Sequence, residues 1–286
     1  MLFRFQKSLS GPSPAAAHGG ADYDCREPDA PGRPAREGEG ADAAGRVHRL
    51  LELSAAVLFP VLFVSALLLS YQRLSQAGCE WLALPGAVVG LVFGDFVTGL
   101  VHWAADTYCE ETTPFIGRSL VRPFRVHHVR PQEICEHGIV ETVGNTCILG
   151  APLLALFIAL SSYGGTSAAS AFALFAAAAT VGVTVATNQF HKWAHQQSAP
   201  RPVRLLQRAR IILSPEHHRT HHTAPFESSY AITNGWLNPL LNRTGFFRRL
   251  EGALRALGVK PSGENRGGPL PDADAPRAGA SFPAGG

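Results

Sequence analysis

The sequence predicts an all-α integral membrane protein of four transmembrane helices with a helical, histidine-rich cap at their cytoplasmic ends. Three observations carry this expectation. The apolar residues fall in four long blocks, the basic residues gather in alternate connections, and ten of the 12 histidines lie between His102 and His222. With 46% hydrophobic and 16% charged residues among 286, the chain is too apolar for a disordered polymer. A soluble domain would spread its apolar residues at helix or strand periods, whereas blocks of about 20 suit a bilayer core about 30 Å thick.

Taken in order, the first 46 residues (GPSPAAAHGG, then PGRPAREGEG) are rich in Pro, Gly, Ala and mixed charge and lack the short apolar core of a secretory leader. They are expected to form a disordered tail, residues 1–46, ahead of a membrane body, residues 47–260. A second tail of the same character covers residues 261–286. Within the body the expected spans are residues 51–71, 81–103, 139–162 and 166–190. The third is interrupted by Glu141, Asn145 and Pro152, and it joins the fourth through an SSYGGTS turn. Further on, GFFRRLEGALRALG places Phe247, Leu250, Leu254 and Leu257 on one helical face with Arg248, Arg249 and Arg255 beside it. That pattern suits an interfacial helix.

Orientation follows from the basic residues. Arg46 and Arg49 precede the first span, Arg118, Arg122, Arg125 and Arg130 lie between the second and third, and Lys192, Arg201, Arg204, Arg208 and Arg210 lie at or beyond the end of the fourth. The other two connections carry only Arg73. Both termini and the central loop are therefore expected in the cytoplasm, which gathers the ten histidines on one face.

Their spacing points to metal. In NQFHKWAH, His191 and His195 are four apart and share a helix face. SPEHHRTHH pairs His217 with His221 and His218 with His222 in the same way. Four imidazoles within about one and a half turns would repel if protonated, so the run makes most sense neutral and metal-bound. FRVHHVRPQEICEH adds His127, His128 and His137, and adjacent residues on a helix point about 100° apart, so His127 and His128 can serve different positions, including a second metal. His102 joins through the second span, where Asp95, Thr98, His102 and Asp106 form one helical stripe. An aspartate inside a span marks a functional site, and Asp95 and Asp106 are expected to support the ligands without joining them. The cysteines, Cys25, Cys79, Cys109, Cys135 and Cys147, form no C-x-x-C pair, so neither a zinc knuckle nor a disulfide framework is suggested. Imidazole suits iron, zinc and copper. Eight or more histidines exceed the needs of one metal, which favours two metals held close together. The expected fold is thus a four-helix membrane body with a cytoplasmic metal-binding cap.

The H-x-x-x-H and H-x-x-H-H elements resemble the histidine boxes of membrane fatty acyl desaturases and hydroxylases. Closer still, FGDFVTGLVHWAADT, FRVHHVRPQEICEHG, NQFHKWAHQ and LSPEHHRTHHTAPFESSYAITNGWLNPLL, in this order, resemble the Kua family of membrane lipid desaturases, and the composition fits its bacterial CarF-like branch. What the resemblance implies is an oxygen-dependent di-iron oxidoreductase of plasmalogen biosynthesis, forming the vinyl ether of plasmanylethanolamine. Its cofactors would be two Fe ions drawn from the ten histidines, and its partners a membrane phospholipid, O2 and an electron donor such as a cytochrome b5 or ferredoxin system. The location it suggests is the bacterial inner membrane, and no nucleic acid is implied.

Such an enzyme must anchor a lipid headgroup at the cytoplasmic interface. Arg122, Arg125, Lys192, Asn234 and Trp236 are the candidates. The alternatives are a fatty acyl, sterol or carotenoid desaturase or hydroxylase using the same metals, and a histidine-rich membrane metal transporter or regulator. Transport sites sit near the bilayer midplane, whereas these histidines lie at span ends. A zinc metalloprotease lacks support, because His191 and His195 enclose no glutamate of H-E-x-x-H.

Overall fold

The computed structural model describes residues 39–110, 112–113, 117, 121–163, 167–196 and 198–262. The described residues are helical, with no strand among them. The first helix, α1 (Glu39–Gln76), already includes residues assigned above to the N-terminal tail; the rest of that tail, and the C-terminal one from residue 263, lie outside the described residues. After a short 3-10 turn, Glu80–Leu82, come α2 (Ala83–Tyr108), α3 (Arg122–Val129) and α4 (Glu133–Glu136). Then follow α5 (Ile139–Tyr163), α6 (Ala168–His195), α7 (Arg201–Arg208), α8 (Pro215–His221), α9 (Asn238–Thr244) and α10 (Phe246–Ala256).

Four helices are long and apolar enough to span a bilayer, over Gly45–Gln76, Glu80–Tyr108, Ile139–Ser161 and Ala168–His195. Each matches an expected span. The prolines inside α1 and α5, Pro60 and Pro152, leave both helices continuous, because neighbouring helices in a membrane bundle re-satisfy the freed backbone groups. The helices outrun the apolar stretches where it matters. α2 continues past Trp103 to carry Asp106, and α6 continues past Phe190 to carry His191 and His195.

α6 is the central helix, packing against α2, α5 and α1, while α1 also lies along α5. Between α1, α5 and α6 the core is small and apolar: Ala55, Phe59, Ala66, Cys147, Ala151, Leu154, Ala178 and Val185. Small residues let the α2 and α6 backbones approach closely. Gly86, Gly90 and Gly94 are buried on α2, and a Cβ at Gly94 would stand 2.2 Å from Val183 Cγ1. The same i+4 row continues through Thr98 and His102 to Asp106, so the close α2–α6 seam leads into the histidines.

The rest of the chain folds over that end. α8 starts with Ser214 as its N-cap, accepting from the His217 N–H at 3.2 Å, followed by Pro215 at the first helical position. α9 ends at Gly245 in the left-handed conformation, and α10 starts there. The apolar face of α10, expected for an interfacial helix, is only partly free: Leu257 stays 79% exposed, while the rest of the face packs inward. Phe247 is buried against Trp103 and Tyr230, with Leu250 and Leu254 beside it, because the last turns of α2 offer an aromatic surface at that place. Cys79 and Cys147 are free thiols, whereas Cys135 is disulfide-bonded, which the absence of a C-x-x-C pair gave no sign of.

Candidate metal centre

Two groups of ligand-type side chains form where α2 and α6 emerge from the apolar body. One holds His127, His191, His195, His218 and His222; the other holds His102, Asp106, His128 and His221; within each group the ligand atoms lie within 4.8 Å of one another. Helix geometry explains the division. Residues four apart share a face, so His191 with His195 and His218 with His222 enter the first group, and His102 with Asp106 enters the second. The adjacent pairs His127–His128 and His221–His222 each give one ring to either group, which holds the two together.

In the five-histidine group the Nε2 atoms converge. His191 faces His218 at 2.8 Å, His218 faces His222 at 3.0 Å, and His222 faces His127 at 3.0 Å. Nitrogens about 2.1 Å from one ion and about 90° apart would be separated by about 3 Å, so the spacing fits imidazoles around a common metal. In the second group, Asp106 Oδ2 stands 3.1 Å from His128 Nε2, 3.4 Å from His102 Nε2 and 3.8 Å from His221 Nε2. Among the described residues His102 Nε2 and Asp106 Oδ1 are buried without a hydrogen-bond partner, as expected of atoms that a cation would satisfy.

Backbone carbonyls fix how two rings present themselves. His102 Nδ1 lies 3.2 Å from Tyr230 O, and His221 Nδ1 lies 2.9 Å from Ser228 O. A carbonyl only accepts, so each Nδ1 carries the proton and each Nε2 keeps its lone pair for a metal. Burial, reinforced by the neighbouring imidazoles, holds His127, His218 and His222 well below the usual histidine range. The same causes, burial and then His128, lower His221 to about 4, against the raising influence of Asp106 and the Ser228 carbonyl. These rings are neutral near pH 7, the protonation state that metal binding requires.

The loop supplying those carbonyls is fastened from inside the membrane body. Asp95 Oδ1 accepts from the backbone N–H groups of Thr233 (3.1 Å), Asn234 (3.1 Å) and Gly235 (3.0 Å), and Oδ2 accepts from Leu237 (3.2 Å). The Thr233 hydroxyl meets Thr98 of α2 at 3.0 Å and Thr187 of α6 at 2.7 Å. Gly235 has φ +75°, and a Cβ there would stand 2.5 Å from His217 Nε2, so both backbone and space demand glycine. Asn238 clamps Ala231 from both sides, accepting its N–H at 3.0 Å and donating to its carbonyl at 2.8 Å.

Of the ten histidines expected as ligands, the structure brings eight together and leaves His137 and His217 outside. His137 follows the end of α4 in extended backbone, facing Glu141 at 3.8 Å, with its carbonyl accepting from Lys192. His217 Nε2 accepts from Asn238 Nδ2 at 2.9 Å, which uses its lone pair. Asp106, expected beside the ligands, stands among them, and Asp95 holds the loop. Of the candidate headgroup residues, Asn234 and Trp236 line a cavity beside the five-histidine group, while Arg122 is exposed at the start of α3 and Lys192 is turned to His137. The Arg125 side chain lies outside the described residues. Tyr230, Ser228 and Asn238 were missed. The signal available for them was the polar density of FESSYAITNGWLNP.

Residues 91–264 match the lipid desaturase domain. The chain is 40% identical over 222 residues to the plasmanylethanolamine desaturase of Myxococcus xanthus, covering 77% of this chain and 76% of that protein. It is 39% identical to plasmanylethanolamine desaturase 1 of Mus musculus, over 64% and 69% of the two chains. It is 31% identical to fatty acid desaturase 4-like 1, chloroplastic, of Arabidopsis thaliana, over 62% and 58%. No solved structure matches. With four membrane-length helices, a histidine centre at their ends and a family match over most of the chain, this multi-pass membrane oxidoreductase belongs to the lipid desaturase domain family.

Proposed function

We propose that the chain is an oxygen-dependent plasmanylethanolamine desaturase, which removes two hydrogens from the first two carbons of an alkyl ether chain and leaves the vinyl ether of a plasmalogen. The observation that carries this reading is the pair of adjoining ligand groups at the membrane end of α2 and α6, in a chain whose relatives in Myxococcus and mouse bear that name. The reaction balances as one O2, two hydrogens from the lipid, and two electrons with two protons from a donor, giving two waters. A cytochrome b5 or ferredoxin system fits as the donor.

The proposed cofactors are two iron ions, one in each group. Iron bound there supplies the dioxygen activation needed to break an unactivated C–H bond. His127, His191, His195, His218 and His222 would hold one ion, and His102, Asp106, His128 and His221 the other. Asp106 offsets cation charge in the low-dielectric interior, where charge–charge interactions are strong. Tyr230 and Ser228 orient two rings, and the Asp95 turn keeps both carbonyls in place. The basic residues of the central loop and of the segment after α6 support an arrangement with both termini and the centre in the cytoplasm, in a bacterial inner membrane. The membrane desaturase domain would be residues 47–260.

The plastid relatives, named fatty acid desaturases, favour acyl chains as the second reading. The test is reconstituted protein with oxygen and a reducing system, offered plasmanylethanolamine beside a diacyl phospholipid. Acid-labile vinyl ether from the first lipid supports the proposal. Reaction on the diacyl lipid alone moves the chain to the acyl branch.

A further inference from the structure

Beside the five-histidine group lies a cavity of about 940 Å3 that the ligand scheme does not use. We propose that it seats the headgroup of the substrate lipid, with the phosphodiester against an arginine rim and the first chain carbons over the histidines. This rests on the lipid-desaturase reading and specifies how that site takes its substrate. The floor of the cavity is formed by His195, His218 and His222. Its rim carries Arg204, Arg208, Arg210 and Arg219, and the only acid among the described residues lining it is Glu216. Four guanidinium groups make a site for a phosphate, and one carboxylate can meet an ammonium, as a zwitterionic ethanolamine headgroup requires.

Depth separates a lipid from a free anion. An α-helix rises about 1.5 Å per residue, so Thr187, bonded to Thr233, lies about 12 Å deeper along α6 than His195. Asp95, which holds the turn from Thr233 to Leu237, lies about 10 Å deeper along α2 than His102. The cavity wall built from Asn234, Gly235 and Trp236 is therefore set toward the bilayer. Most of the arginine wall comes from the segment after the last span, which folds back along the end of α6: Gln207 donates to Trp193 O, and Arg210 O accepts from Trp236 Nε1. Exposed apolar side chains accompany it: Leu205 at 63%, Ile211 at 43% and Trp236 at 42% of their surface. Arginine beside tryptophan and aliphatic residues is the composition of a membrane interface. The chamber thus joins headgroup-binding charge to apolar surface, and it reaches the ligand-type histidines His195, His218 and His222.

The test uses the double variant Arg208→Gln/Arg210→Gln; Arg204 is kept, because its guanidinium also holds Ala199 O at 3.0 Å. Three probes are offered: a short-chain ether phosphatidylethanolamine, the same alkyl glycerol without phosphate, and inorganic phosphate. Binding is measured on metal-free protein by calorimetry and turnover on the iron-loaded enzyme. The variant should bind the phospholipid about tenfold more weakly and raise its KM to match, with kcat, iron content and affinity for the phosphate-free lipid within about twofold. Arg208→Lys/Arg210→Lys should restore most of the binding, which separates lost charge from lost folding. Unchanged phospholipid affinity, equal losses on both lipids, or a variant impaired only in its reduction by the electron donor would overturn the proposal. So would arginine-dependent binding of inorganic phosphate with lipid binding intact. Arginine-dependent lipid binding by a wild-type protein that forms no vinyl ether would retain the headgroup seat and refute the proposed activity.

Discussion

The two ligand groups adjoin and both lie largely buried, yet only the five-histidine group borders the cavity, which makes it the open one and the other the closed one. Around His102, His128 and His221 aromatic rings pack: Phe124 lies 5.0 Å from the His102 ring, Phe226 5.4 Å from His128, and Tyr230 against both His102 and His221. Carbonyls fix two of these rings, and Asp106 contributes the one carboxylate of the two groups. Among the described residues the five-histidine group has no carboxylate, and three of its rings border the cavity. Under the proposed function this difference gives each group distinct work. The closed group sets charge and geometry; the open one lies where a lipid can arrive. Because His127–His128 and His221–His222 straddle the boundary, movement of either helix disturbs both.

The largest expected effect tests whether both groups are needed. His218→Ala removes a ring from the open group alone and His221→Ala from the closed group alone, and each should abolish turnover, beyond the ~10–100-fold typical of an outer hydrogen-bond partner. Iron analysis of the two variants should show about one ion lost in each. Full activity in either would end the equivalence of the groups.

Asp106→Asn sharpens the comparison by keeping shape and removing charge. It should deplete the closed group of metal and leave the open group occupied, read as a loss of about one iron by elemental analysis. Equal depletion of both groups would show that the carboxylate serves the pair.

Asp95→Asn should act through the loop. Four backbone N–H groups would lose a charged acceptor, each such bond contributing about 1.5–3 kcal/mol, so the variant should melt at lower temperature and lose activity about 10–100-fold with its ligands intact. A normal melting temperature would contradict the fastening role of the turn.

The smallest effect concerns protons. His221 is lowered to about 4 in the folded protein, while the unfolded chain takes up its proton near about 6.5. Between these values the unfolded state binds more protons, so the stability of metal-free protein should fall as pH drops from about 6.5 toward about 4. Thermal melts of stripped protein at about pH 7.5 and about pH 5 check this, and unchanged midpoints would contradict it.

Where sequence reading succeeded, the information was local. Spans follow from block hydrophobicity, and the splitting of His127 from His128 follows from the angle between adjacent helical residues. It stopped where a distant residue decided the outcome. His217 sits at the same i+4 spacing from His221 as His218 from His222, yet Asn238, from another helix, takes its lone pair. His137 belongs to FRVHHVRPQEICEH, but the end of α4 carries it away from the rings that α3 delivers. Asp106 repeats the four-residue step from His102, and a carboxylate at that step ligates as readily as an imidazole. The carbonyls of Ser228 and Tyr230 leave no side-chain signature, because any residue supplies a carbonyl once the loop is held.

Under the proposed function the chain holds two adjoining iron ions, one in each ligand group. Elemental analysis of purified, active protein, paired with vinyl ether formation after stripping and reloading with iron or zinc, tests it most directly. About two iron per chain, with activity restored by iron and not by zinc, is the expected result. One metal per chain at full activity, or full activity with zinc alone, would contradict the account.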